Sequence, residues 1–232
     1  MKKKIYLKNA LWTFSKNVPK EFDKHIKKSI PLYELSHHLT LNLSDFFLNN
    51  NSNAIDIGSS TGSFLKKLSK YNKKKIQLTG IDIEKNMVSF AKKNNSTEKI
   101  KYIYGDYLKC KFPFKSKMIT SFYTLAFIDA GNRQKIFNKI YKDLSWGGAF
   151  IFFEKVRAPD AKFQDITTTL YNDFKLNNGL NYKEIIEKTR SLKGVMDPFS
   201  SSENFKMLKR AGFNDYMTIL KYLNFQGFFA IK

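Results

Sequence analysis

The segment Asp56-Ile57-Gly58-Ser59-Ser60-Thr61-Gly62 follows a short apolar run, Ala54 to Ile57, and opens an amphipathic stretch from about 62 to 71. Glycine lets the main chain approach a ligand where a Cβ would collide. A helix starting there aims free amides and its positive dipole end into the same space. The spacing is not G-x-G-x-x-G and no Gly-Lys-Ser/Thr follows, so this is neither a dinucleotide fingerprint nor a P-loop. Asp82 closes the next apolar run, Ile76 to Asp82, where an acid reaches ribose hydroxyls in nucleotide-binding sheets. A carboxylate there can accept both hydroxyl hydrogen bonds of one ribose. Gly105-Asp106-Tyr107 ends a third run, where an acid or its neighbouring amide can meet an adenine. Each pattern alone has an ordinary use, as a strand–turn–helix connection, a solvated strand-end acid or a β-turn Asp. Found in order at successive strand ends, they point together to a nucleoside site.

Such residues need a sheet to hold them. Residues 19–30 and 32–49 carry apolar side chains at helical spacing, with Pro31 between them. From about 53 the pattern alternates. Strands are expected at 54–57, 76–82, 99–104, 118–123 and 149–153, with helices at 62–71, 85–95 and 134–144, the last ended by Trp146-Gly147-Gly148. Apolar strands alternating with helices predict parallel βαβ units covered on both faces. Residues 157–200 read as two inserted helices, followed by a helix at 203–211 and strands near 215–222 and 224–231. So short a link between the last two strands predicts an antiparallel hairpin. The expectation is one α/β domain: a helical segment 1–50, a nucleoside-binding core 51–156, the insertion 157–200, and a terminal helix and hairpin 201–232.

Other chemistries find little support. His25, His37 and His38 all fall in the first two helices, and adjacent histidines face different ways, so no i, i+4 metal pair forms and no metal is expected. No Gly-x-Ser-x-Gly elbow is present, and Cys110, the one cysteine of 232 residues, reads as a passive thiol in a reducing cytoplasm. No apolar run reaches membrane-spanning length, and Lys8 and Lys16 interrupt any export signal after the basic start Met1–Lys8. The chain carries 41 Lys+Arg against 20 Asp+Glu, a formal +21. Only Arg133, Arg157, Arg190 and Arg210 supply the bidentate guanidinium that suits phosphate recognition, and the lysines are scattered among Asn, Ile, Phe and Tyr. All these residues have A/T-rich codons. Direct nucleic-acid binding is therefore the less favoured reading of the charge, and a small-molecule substrate the favoured one.

The loop resembles motif I of S-adenosylmethionine (SAM) enzymes, acidic-x-Gly-x-Gly-x-Gly, with Ser60 at the middle glycine. A mostly parallel sheet ending in an antiparallel hairpin is similarly that of the class I methyltransferases, which are Rossmann-like. Asp160-Ala161-Lys162, Asp173-Phe174-Lys175, Asn178-Gly179, Val195-Met196, Ala211-Gly212-Phe213 and Asn224-Phe225 narrow the resemblance to the carboxy-S-adenosylmethionine synthases within that superfamily. It runs from about Phe22 to Lys232, and that family also carries Ser at the position of Ser60. The resemblance implies conversion of SAM and prephenate to carboxy-SAM and phenylpyruvate through a sulfonium ylide. The product is then used by a separate enzyme on tRNA wobble uridine. It implies Tyr33 facing the cofactor, Gly58, Ser59 and Ser60 lining the amino-acid moiety, Asp82 with Ile83 at the ribose, and Asp106 with Tyr107 at the adenine, with Asp56 and Gly62 also among the cofactor-binding residues. It also implies a homodimer through the inserted helices. Two positions depart from the pattern. Phe122 stands where the family has an Asn beneath the cofactor, and Thr189 where it has an Arg that pairs with the added carboxylate. Arg190, one residue on, is the substitute candidate. The alternative implied by these departures is an ordinary SAM-dependent methyltransferase acting on a small molecule or RNA.

Overall fold

The computed structural model describes Ala10 and residues 18–232; the basic start Met1–Lys8 and Lys16 lie outside the described residues. Two helices come first, α1 (Val18–Ser29) and α2 (Tyr33–Phe47), broken at Pro31. Strand and helix then alternate through β1 (Asn53–Ile57), α3 (Ser63–Tyr71), β2 (Gln77–Asp82), α4 (Lys85–Asn94), β3 (Ile100–Tyr104), β4 (Ser116–Phe122), α5 (Ala130–Asp143) and β5 (Leu144–Lys155). The insertion supplies α6 (Ala161–Asn177) and α7 (Tyr182–Leu192). The chain closes with α8 (Ser201–Ala211), β6 (Asp215–Tyr222) and β7 (Phe225–Ile231).

The seven strands form one sheet in the order β3-β2-β1-β4-β5-β7-β6. Strands β1 to β5 are parallel, and β7 pairs antiparallel with both β5 and β6, the expected hairpin. Because β1 sits beside β4, the crossovers leave in opposite directions there. A crevice opens at the carboxyl ends of these strands, where ligands bind in such sheets. Alternation along β5 serves both faces. Phe150 and Phe152 enter the layer with Phe137, Ile140, Leu208 and Phe228, while Ala149, Ile151 and Phe153 enter the layer with Phe64, Leu65 and Leu68. Each fully buried Phe or Leu contributes about 2 kcal/mol of hydrophobic stabilisation.

Helix α5 begins four residues before Gln134, where apolar periodicity starts. Asp129 caps it by accepting from the Gly131 amide, a local signal independent of periodicity. It ends at Asp143, and Trp146-Gly147-Gly148 belongs to β5 rather than to a helix stop. Gly147 takes φ +69°, and its amide donates to the Lys232 carbonyl (2.8 Å), so the glycines turn the strand start toward the end of β7.

Candidate active site

The loop after β1 lies across the end of β2. The amides of Gly58 and Ser59 both donate to the Ile81 carbonyl (2.8 and 3.0 Å), and the Ser60 amide donates to Asp82 Oδ2 (2.7 Å). Gly58, Ser60 and Gly62 all have positive φ, which turns the main chain outward. A Cβ on Gly58 would run into the Thr124 side chain, so close backbone approach is required there. Asp82 Oδ1 accepts the Glu84 amide (2.8 Å), and the Asp82 carbonyl accepts the Gly105 amide (2.9 Å). Thus the glycine loop, Asp82 and Gly105-Asp106 form one hydrogen-bonded unit at the crevice. Ile83, 65 % exposed, stands at its rim.

Asp56 lies beneath the loop, 2 % exposed, accepting from Thr120 Oγ1 (2.8 Å). Burial pushes its carboxyl up to about 7, with the Asp82 charge adding to the rise. Burial raises Asp82 as well, opposed by the amides it accepts. Asp106 caps a short 3₁₀ turn by accepting from the Leu108 amide (2.9 Å). Tyr107 points away: its ring packs in the core against Phe112, and its hydroxyl donates to Asp143 (2.8 Å). Only its main chain can face an adenine.

Across the crevice Tyr33 opens α2, buried against His37 (ring centroids 4.5 Å apart) and Tyr123 (6.1 Å). Burial raises its phenol, which stays protonated and can donate. Phe122 ends β4 with its ring stacked on Phe153 and edge-on to His37 (4.7 Å), completing an aromatic cage with Phe64. His37 escaped the sequence reading beyond its exclusion as a metal ligand. Burial, then the Lys67 charge, lowers its imidazole to about 3. The neutral ring accepts from Lys67 at Nδ1 (3.2 Å). Asp23 was also unforeseen: it accepts from Thr61 Oγ1 (2.8 Å), tying α1 to the loop. Leu32, Ser60 and Tyr123, all at this end of the sheet, are non-glycine residues held at positive φ, a concentration of backbone strain typical of functional sites.

Arg190 is placed elsewhere, exposed on α7, its carbonyl accepting the amides of Ala10 and Lys193. Thr189 beside it is exposed too. Cys110 is half-buried, with burial raising its thiol, so it is a poor nucleophile. Among the described residues no group of three His, Cys, Asp or Glu could hold a metal, and no helix is long and apolar enough to cross a membrane.

A SAM molecule fits these groups. Space is open beside Gly105 where a Cβ would lie. Asp82 keeps lone pairs beyond the two amides it accepts.

The strand order and this site define a class I, SAM-dependent transferase. A methyltransferase-domain family model matches residues 54–148. Human N-acetylserotonin methyltransferase in complex with SAM superposes with TM-score 0.64 at 16% identity, over 94% of this chain and 56% of that one. Phosphoethanolamine N-methyltransferase 2 of Haemonchus contortus gives TM-score 0.66 at 13% identity, over 94% and 57%. These likenesses concern the fold. At the level of sequence, the carboxy-S-adenosyl-L-methionine synthase of Staphylococcus epidermidis is 40% identical over 222 residues, 95% of this chain and 97% of that protein. That of Campylobacter lari is 32% identical over 236 residues, 100% of both chains. The chain belongs to the carboxy-S-adenosyl-L-methionine synthase family.

Proposed function

We propose that this chain converts SAM and prephenate to carboxy-SAM and phenylpyruvate, and that a separate enzyme uses the product to modify wobble uridine in tRNA. The observation that carries this reading is kinship at 40% identity across nearly the whole length, insertion included, with a protein named for that product. The loop and strand ends of the crevice support it, while Arg190 stands exposed on α7. The main chain of the loop at Gly58, Ser59, Ser60 and Gly62, turned outward by positive φ at Gly58, Ser60 and Gly62, lies along the amino-acid moiety, and Asp56 braces the loop from below. Asp82 takes the ribose hydroxyls with Ile83 against the sugar, and Asp106 and the Tyr107 main chain meet the adenine. Bound SAM supplies a methyl carbon whose C–H bonds the sulfonium makes acidic. Tyr33 and Phe122, on the α2 and β4 side, exclude water from that carbon. One methyl C–H loses its proton and the carbon bonds the carboxyl carbon as that carbon's bond to the donor ring breaks; the electron pair left on the ring expels the donor's hydroxyl, which takes up the proton as water. Arg190 meets the new carboxylate, since a buried carboxylate without a cation is costly.

A homodimer through the insertion is part of this reading. Phe163, Ile166 and Leu170 expose an apolar stripe on α6, and Tyr182 and Ile186 do so on α7. Residence in the cytoplasm follows from the small-molecule substrates and the single cysteine. Plain methyl transfer from SAM is the second reading, favoured by Phe122 and Thr189 standing where the family has Asn and Arg.

The mass of the ligand that co-purifies with the protein separates the two. Carboxy-SAM is the expected result; SAM or S-adenosylhomocysteine alone, with no prephenate turnover, would leave the methyltransferase reading. Arg190→Ala should abolish carboxy-SAM retention while SAM binding stays measurable, and equal loss of both removes Arg190 from the site.

A further inference from the structure

Lys155 is the last residue of β5, and Lys175 lies in the last turn of α6. Their ammonium groups sit 4.7 and 4.3 Å from the centroid of the Tyr171 ring, so they are no farther apart than the sum of those distances. Lys175 is only 7 % exposed. Neither ammonium has a hydrogen bond or an ion pair among the described residues, and the charged groups acting on Lys155 are two further cations, Lys175 and Lys193. Buried charges are normally paired, because an ammonium without a partner loses its hydration and gains nothing in return. Burial, with mutual repulsion at Lys155, brings both lysines down to about 8, so at neutral pH both remain mostly charged. Two cations set against one ring, with no acid among the groups acting on them, make a candidate anion site.

Its position ties it to the reaction. Tyr171 packs on Phe225 (5.0 Å), Phe225 on Tyr123 (6.1 Å) and Tyr123 on Tyr33 (6.1 Å). The Tyr171 hydroxyl donates to the Ser29 carbonyl (2.8 Å), just before the break that leads into α2. Pro31, Leu32, Tyr123, Phe153 and Phe225 line a shallow cleft beside this aromatic chain. It lies at the carboxyl ends of β4 and β5, away from the loop and Asp82 on β1 and β2.

We infer that Lys155 and Lys175, set against Tyr171, bind the carboxylate that the donor acid keeps in its product. This rests on the carboxy-SAM reading above. A donor that gives up one carboxyl group must be oriented by another. A cation on the departing carboxylate would hold back the charge that has to leave it as the C–C bond breaks, so the paired ammoniums suit the carboxylate that stays. Two ammoniums can each take one oxygen of that group, a charge-assisted pair shielded from water.

The test is calorimetric titration of phenylpyruvate and of prephenate into the full-length protein loaded with S-adenosylhomocysteine, for wild type, Lys155→Met, Lys175→Met and Lys155→Arg. Methionine keeps the apolar stem, and thermal unfolding confirms that each variant is folded. Each Met variant should lose about tenfold or more in affinity for both acids and hold S-adenosylhomocysteine within about twofold, while Lys155→Arg recovers most of the loss. Met variants that bind phenylpyruvate as tightly as wild type would overturn the assignment, and so would a wild type that binds neither acid. If wild type forms no carboxy-SAM from prephenate, the functional reading falls by itself. The phenylpyruvate titration still decides the lysines.

Discussion

On the β1–β2 side of the crevice the buried charges are acids, and the chain itself holds them: Asp56 by Thr120, Asp82 by the amides of Ser60 and Glu84. On the β5–α6 side the acid, Glu154, is held by the amides of Leu125 and Ala126, while Lys155 and Lys175 have no acid of their own and the charged groups acting on Lys155 are more bases. The first arrangement gives a rigid, pre-organised cradle in which a ligand adds bonds to groups already in place. The second leaves cations without an anion, an arrangement completed by a ligand. A hydroxyl-rich cationic sulfonium compound suits the acidic side and a carboxylic acid the basic side, so the two ends divide the two substrates between them.

The largest expected effect tests how tightly the acidic side is held. Burial raises Asp56 from 3.8 to about 7. Its folded form therefore keeps a proton that the unfolded chain has released. The stability it contributes is full below about pH 4 and is lost as pH rises through about 7, a change on the order of 3 kcal/mol. Asp56→Asn removes this dependence while keeping an oxygen for Thr120. Thermal unfolding midpoints between pH 5 and 8 should fall less steeply for the variant. Glu154, also raised to about 7 by burial, stays in both proteins and leaves a common slope. Equal profiles would mean that Asp56 is solvated in solution.

A somewhat smaller effect tests the ligand half of the same side. Asp82→Ala removes the ribose acceptor and frees the Ser60 amide, so affinity for S-adenosylhomocysteine should drop by roughly 2 kcal/mol, about 30-fold. Affinity for phenylpyruvate, measured on the loaded protein, should change little. Loss of both together would make the two sides a single cooperative site and erase the contrast between them.

The two sides also differ in how far the sequence reveals them. The glycine loop, Asp82 and Gly105-Asp106 each end an apolar strand, and the sheet period places them at one edge without any knowledge of packing. Ile83 came from the resemblance, since β2 is buried on both faces and Ile83 lies just past its end. What lay hidden depends on tertiary approach. Lys155 and Lys175 are two lysines among many, twenty positions apart, and they come near each other only because α6 sets Tyr171 against both. His37 enters its cage because α2 crosses β4 at Phe122. Tyr107 turns inward because Asp143, at the end of α5, takes its hydroxyl. Arg190 came from resemblance alone, and it stands exposed on α7.

The smallest effect is the most telling about the basic side. Lys155 is lowered from 10.5 to about 8, first by burial, then by Lys175 and Lys193. The folded protein therefore releases this proton more readily than the unfolded chain does. The charged side chain opposes folding below about pH 8, and the opposition fades as pH rises from there toward 10.5. Lys155→Met removes the charge and leaves the stem against Tyr171. It also forfeits the cation–π attraction to that ring, which offsets part of the gain, so the net stabilisation at pH 7 should be about 1 kcal/mol. For a chain of this size that raises the unfolding midpoint by roughly 2–4 °C. Scanning calorimetry at pH 7 and at pH 10 checks it, with the advantage expected to shrink at the higher pH. A lower midpoint at pH 7 would show that neighbouring groups already satisfy the ammonium, and the β5–α6 side would then be as self-contained as the β1–β2 side. A side chain whose removal strengthens the fold and weakens acid binding cannot be there for the fold; its place is set by the anion it receives.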